Sequence, residues 1–396
     1  MARNGFKIFD SDTHVGPAAD ILERYLSESE KQKLKSWDRY KFVNALNGHV
    51  EYTFGRRNYR RKLGCAGPEP ERPRTSKDVA DRKYPDDLPL PEAEVDPAER
   101  IKDMDREGVD VNLTLPSSWF GTFTASDDVE LETSMYRAYH RWMADYCGAY
   151  PTRIKGVILV CFRDIEKSLS EIERCAKEDW PLAAFIYAPS KAPIDHPSLE
   201  PVWAACQYHD LSVALHTFTA MPPYAPGGDD TWDNYFVQRS VAHSWCGERN
   251  TAALIGAGIM DRYPKLRIGT LEAGHGWLPF WMARMDEHAK GFARYMPELN
   301  MRPSEYMLSG RYFQSIEMSE GEKLTKSVID LIGADILMYA SDYPHRESWF
   351  PKAVETVMAW DLPENIKRKL FWDNALKYYA RYSERATTAQ VEAARP

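Results

Sequence analysis

The chain has 396 residues, 28% of them charged and 43% hydrophobic, with a formal net charge of -8. This is the balance of an ordinary globular protein, and its acidity argues against nucleic acid as the main partner. There is no apolar run of about eighteen residues and no visible signal peptide, so no membrane span is expected and the cytoplasm is the expected location.

The first predicted strand, Ile8-Phe9-Asp10-Ser11-Asp12-Thr13-His14-Val15, ends in two residues of metal-ligand type, Asp12 and His14. Residues two apart in a strand point to the same side, so this carboxylate and imidazole can grip one ion. Residues 15–95 then break the pattern with charge, proline and glycine, and read as an insertion holding one helix from Ile21 to Trp37. Within it, Arg56-Arg57-Asn58-Tyr59-Arg60-Arg61-Lys62 reads either as a solvated loop or as an anion clamp. A clamp there would suit a carboxylate or the phosphates of a carrier such as coenzyme A.

From residue 97 helices and strands alternate. Helices are expected over Pro97–Glu107, Asp128–Ala149, Glu166–Lys177, Leu199–His209, Tyr235–Arg262, Trp277–Phe292, Glu322–Ile332, Ala353–Ala359 and Glu364–Tyr379. Strands are expected over Val109–Leu115, Ile154–Cys161, Leu182–Ala188, Leu211–His216, Leu266–Glu272, Tyr312–Glu317 and Ile336–Ala340, with a second insertion from Phe218 to Asn234. This is the order of a (β/α)8 TIM barrel with insertions after strands one and five. It forms one metal-dependent domain over residues 1–383, followed by a polar tail, 384–396. The six cysteines are scattered without a CxxC and read as small buried hydrophobes in a reducing compartment.

The barrel gathers the chemistry. His216 ends strand five, Glu272 strand six and Asp342 strand eight, and in a barrel these ends meet Asp12 and His14 at one face. A carboxylate at the end of an apolar strand is expensive to bury alone. Several of them at one mouth would repel one another without a cation. His275, in the Ala-Gly-His-Gly turn just beyond Glu272, is given a site role as ligand or general acid/base. Asp342 and His345, at the mouth of the last strand, complete the catalytic candidates. Arg56, Arg57 and Trp277 are assigned to substrate contacts, and His243 is read as solvated or structural.

The chain resembles the amidohydrolase superfamily, closest to the branch of aminocarboxymuconate-semialdehyde decarboxylase. The resemblance rests on Asp12-Thr13-His14, His216, Leu271-Glu272-Ala273-Gly274-His275-Gly276-Trp277-Leu278-Pro279 and Ser341-Asp342-Tyr343-Pro344-His345. That family uses HxH after strand one, a His after strand five, a His after strand six and an Asp after strand eight. Here Asp12 replaces the first His, and Glu272 stands near the strand-six position. The resemblance therefore implies a carboxylate-rich set of Asp12, His14, His216, Glu272, His275 and Asp342 holding two divalent ions, with Glu272 as bridge. Fe(II) is favoured, with Zn or Mn as alternatives.

That set is similar to the nonheme di-iron monooxygenases of platensimycin-type diterpenoid biosynthesis. It implies hydroxylation of a bulky hydrophobic, terpenoid-like substrate, free or as a CoA thioester, with an external electron donor. The alternative is a divalent-metal hydrolase or decarboxylase acting on a small carboxylate or cyclic substrate. The family often dimerises, and the aromatic load of 12 Trp and 22 Tyr is compatible with a homodimer.

Overall fold

The segment Phe9–Val15 (β1) is buried along its whole length although its centre, Asp10 to His14, is polar. A strand tolerates this only if neighbours on both sides cover it and its polar groups find partners. Seven further strands supply the cover: β2 (Val111–Pro116), β3 (Ile154–Leu159), β4 (Pro181–Ile186), β5 (Ser212–His216), β6 (Ile268–Leu271), β7 (Tyr312–Ser315) and β8 (Leu337–Met338). In this computed structural model the described residues are 3, 5–34, 41–43, 50–52, 94–117, 128–186, 193–216, 235–345 and 348–384.

The eight strands lie side by side in chain order, each paired parallel to the next. The ring closes where the chain beyond β8 returns to β1. Ser11 N–H donates to the Tyr339 carbonyl at 3.1 Å, Asp342 N–H to the Asp12 carbonyl at 3.1 Å, and His14 N–H to the Tyr343 carbonyl at 2.6 Å. The fold is the expected (β/α)8 barrel. The β1–β2 register slips between Asp10 and Thr13, an irregularity of the kind that re-aims side chains next to a site.

The helices follow the expected amphipathic logic. Pro97–Glu107 starts on an Asp96 cap with proline in its first turn and ends on left-handed Gly108. Two expected helices are interrupted. Tyr235–Gly256 stops before left-handed Gly258, and a short helix, Ile259–Arg262, follows. The last helical run widens into a π-type turn over Lys369–Asp373 before Asn374–Tyr378. That run delivers Tyr378 and Tyr379 to the N-terminal end of the barrel, where their hydroxyls donate to the carbonyls of Val213 (2.7 Å) and Ser11 (3.0 Å). Gly269 lacks a Cβ where the Tyr378 ring lies against the strand, so an alanine there would collide with it.

Most of the expected 15–95 insertion, including the Arg56–Lys62 run, lies outside the described residues, as do residues 217–234 and all but the first residue of the tail. Two short segments inside it, Lys41–Val43 and Val50–Tyr52, pair antiparallel. The five cysteines among the described residues are buried free thiols. No helix among these residues is long and apolar enough to cross a membrane.

Candidate metal centre

Five side chains from four strand ends converge at the C-terminal mouth of the barrel. His14 Nε2 lies 3.4 Å from Asp12 Oδ1 and 3.1 Å from Asp342 Oδ1. His216 Nε2 lies 3.7 Å from Asp12 Oδ2 and 3.1 Å from Glu272 Oε2. The two imidazoles meet edge to face with their centroids 5.0 Å apart. Asp12, His14 and His216 each bring a ligand atom within 4.8 Å of the others, and so do His14, Asp342 and His345.

The backbone shows what this convergence demands. Among the described residues, only three non-glycine residues have a positive φ, and two of them are Glu272 (51°) and Asp342 (61°). Left-handed geometry costs such a residue about 1–3 kcal/mol and persists only where its surroundings enforce it. Here it falls at Glu272, directly after its strand, and at Asp342, four residues beyond Met338, and turns each carboxylate toward the cluster. The expected strand six therefore ends one residue early, at Leu271.

The electrostatics carry the same message. Burial pushes the Asp12 carboxyl above its usual range. Burial, followed by the charge of Asp342, pushes Glu272 well above it. Burial opposes charge on His14, but the carboxylates of Asp12 and Asp342 outweigh it and raise that imidazole well above its ordinary value. Burial also acts on Asp342, where His345 and His14 win and hold the carboxyl far down. His216 is driven well below its ordinary value by burial and then by His14. Protons alone are a poor way to settle three buried carboxylates around two imidazoles. A divalent cation settles them at once.

The donor set fits such an ion. Asp12 Oδ1 and His14 Nε2 are buried and make no hydrogen bond to a described residue. The other ring nitrogen of His14, Nδ1, is 3.2 Å from the Pro116 carbonyl. That contact fixes the ring and turns the Nε2 lone pair toward the cluster, the usual arrangement of a ligating histidine.

His275 is not in this group. Its Nε2 is 2.9 Å from Thr325 Oγ1, and its Nδ1 is 2.7 Å from Glu320 Oε2 and 3.1 Å from the Glu317 N–H. Both ring nitrogens are thus engaged on the far side of the turn. His345 stacks on His14 at 4.1 Å, and its Nδ1 is 2.8 Å from Asp342 Oδ1. Trp277 is buried and spends its indole N–H on the carbonyls of Ala273 and Gly274, inside the turn. Arg56 and Arg57 lie outside the described residues.

Sequence reading missed two neighbours of the cluster. His243 Nδ1 comes within 3.6 Å of Glu272 Oε1. It is carried by the helix Tyr235–Gly256, which packs so closely on the β6 turn that a Cβ on Gly247 would press on Thr270, Ala273 and Trp277. Glu94 accepts from Ser117 Oγ at 3.3 Å, and burial raises its pKa although His345 and Arg100 pull the other way. Nothing in the spacing of either residue signals the site, because each reaches it through tertiary packing.

A barrel of eight parallel strands with a buried acid–imidazole cluster at its C-terminal mouth defines a class of enzyme-bearing fold. Within that class, a family model described as Amidohydrolase matches residues 81–381, and the chain belongs to this family. Gamma-resorcylate decarboxylase of Polaromonas sp. (strain JS666) is 25% identical over 302 residues, covering 70% of this chain and 85% of that protein. A 5-carboxyvanillate decarboxylase from Novosphingobium aromaticivorans, solved with manganese, superposes with a TM-score of 0.67 at 20% identity, covering 96% and 98% of the two chains. The 2,6-dihydroxybenzoate decarboxylase from Rhizobium gives a TM-score of 0.62 at 15% identity over 95% and 99%. At these identities the structural likenesses speak for the fold.

The comparisons overturn the expectation of an iron-dependent monooxygenase. These relatives are decarboxylases, which are lyases and not oxidoreductases. The error has a physical source. Extra carboxylates point toward oxygen-activating iron, yet mixed carboxylate and imidazole ligands suit manganese equally, so their number carries no redox information.

Proposed function

We propose that this chain is a divalent-metal-dependent decarboxylase of a hydroxylated aromatic carboxylate. The observation that carries the reading is the buried convergence of Asp12, His14, His216, Glu272 and Asp342, with Asp12 Oδ1 and His14 Nε2 lacking hydrogen-bond partners among the described residues. The decarboxylase relatives supply the substrate class.

These five side chains would hold the ion. The two overlapping ligand groups share His14, whose neutral ring offers one lone pair once Nδ1–H is given to Pro116. This favours one ion per chain over the two expected from sequence. When bound there, a divalent ion would supply Lewis-acid polarisation of the substrate. The chain's own residues do the rest. Asp12, His14, His216, Glu272 and Asp342 are buried at the barrel mouth, and His345 lies partly exposed beside them. Asp342 accepts from His345 Nδ1 and orients that ring, leaving Nε2 as the nitrogen for proton transfer. As the bond between the ring and its carboxylate breaks, the electron pair stays on the ring carbon, carbon dioxide leaves, and the proton from His345 replaces it. No electron donor enters, and no thioester is required.

The test is carbon dioxide release from a panel of hydroxybenzoates by protein with and without added manganese. Metal-dependent release from at least one ortho-hydroxylated member supports the proposal. A metal-replete protein that releases none from the whole panel, or a metal content near two per chain, contradicts the corresponding part of it.

A further inference from the structure

The Ala273-Gly274-His275-Gly276 turn places no side chain in the cluster, yet it is tightly tied to its surroundings. Its residues are held from several directions. Glu272 N–H donates to Ser315 Oγ at 3.0 Å, and Gln314 Nε2 donates to the Gly274 carbonyl at 2.8 Å. The centre of the turn is occupied by a carboxylate from elsewhere in the chain. Glu320 Oε2 accepts the backbone N–H of His275 at 2.8 Å and of Gly276 at 2.9 Å, and it lies 2.7 Å from His275 Nδ1.

Both glycines belong to this arrangement. Gly274 has a φ of 70°, and a Cβ on it would run into Glu320 Oε1. A Cβ on Gly276 would meet Leu324 and press on the same oxygen. Consecutive N–H groups presented by a turn with a left-handed residue form a nest that binds an anion. Here the anion belongs to the protein. Burial works against charge on Glu320, but His275 and the two backbone N–H groups hold its carboxyl below the usual range.

We infer that Glu320 is a positioning residue for Glu272: as an internal anion in the nest of residues 273–276, it locks the turn that keeps Glu272 left-handed and aimed at His216. The inference rests on the proposed reading only for what Glu272 then does, which is to help hold the ion. His275 acts through the same lock, which explains why a histidine so close to the site in sequence turns away from it.

The test compares Glu320→Ala, Glu320→Gln and Gly274→Ala with the parent protein, using crystal structures, titration with Mn²⁺ and kcat and KM. Removing an outer partner of a metal ligand typically costs about 10- to 100-fold in affinity. Glu320→Ala is expected to release Glu272 from its φ and from His216 and to weaken Mn²⁺ binding by about that factor. Added formate, which can refill the nest, should restore much of the loss. Glu320→Gln, which keeps one acceptor, should lie between the two. Gly274→Ala should reproduce Glu320→Ala with the carboxylate still present. A Glu320→Ala crystal structure with Glu272 unmoved overturns the inference, whatever the metal result. If instead Glu272 moves and the parent protein binds no Mn²⁺, the positioning stands and the metal reading fails.

Discussion

Among the described residues, two regions of the molecule place a histidine, a carboxylate and a third ligand-type residue within 4.8 Å of one another, and they commit their lone pairs differently. In the first, His140 Nδ1 is 2.9 Å from Glu171 Oε2, and His140 Nε2 accepts the Leu159 N–H at 2.8 Å. Glu171 is held further by Arg174, and Cys175 is a buried thiol whose pKa burial pushes far up. Every strong lone pair there is committed to the protein. In the second, at the barrel mouth, His14 spends Nδ1 on the scaffold and turns Nε2 to the centre, facing Asp342 and Asp12, whose Oδ1 has no hydrogen-bond partner among the described residues. Residue type and proximity are alike in the two clusters. What differs is whether the lone pairs remain uncommitted, and that difference separates a structural cluster from a candidate site.

The sharpest way to break the comparison is Asp342→Ala. Direct ligands matter more than their supports, so metal affinity and carbon dioxide release should each fall by at least ~100-fold with the fold retained. Metal titration and circular dichroism on the same sample check this. The mirror experiment is His140→Ala, which strands the Leu159 N–H and one side of Glu171. It should cost about 1–3 kcal/mol of stability in urea unfolding while leaving metal content unchanged.

The same cluster makes a signed prediction with pH. Burial lowers the His140 pKa below its ordinary 6.5, so between the folded and unfolded values the unfolded chain binds more protons. Stability from this group is therefore fully present above 6.5 and is lost as pH falls through the depressed folded value. A His140→Gln variant should show a flatter decline in unfolding midpoint over that window; an unchanged slope would remove His140 as the cause. The smallest effect belongs to Arg174→Ala. This partly exposed cation pairs with Glu171, and its loss should change stability by about 0–1 kcal/mol.

Much of the barrel and all five converging side chains were legible in the sequence, for identifiable reasons. Asp12, Glu272 and Asp342 stand out because a charge at the end of an apolar strand needs a justification, and barrel topology brings such ends together. His14 and His216 follow from the same logic. His275 faces away from the cluster because a loop residue's facing is set by backbone angles, here the positive φ of Gly274, and by a remote partner, Glu320, that no local pattern reveals. His243 escaped notice because it reaches Glu272 from a helix across the close packing at Gly247. The reaction was misjudged for a different reason. Ligand chemistry limits which ions can bind but leaves the fate of the substrate open.

The most direct test of the account is the metal content and anomalous diffraction of crystals grown with manganese. The account predicts one ion per chain, bound among Asp12, His14, His216, Glu272 and Asp342, and none at His140, Glu171 and Cys175. An empty barrel mouth under saturating manganese, or an ion in the His140 cluster instead, would contradict it.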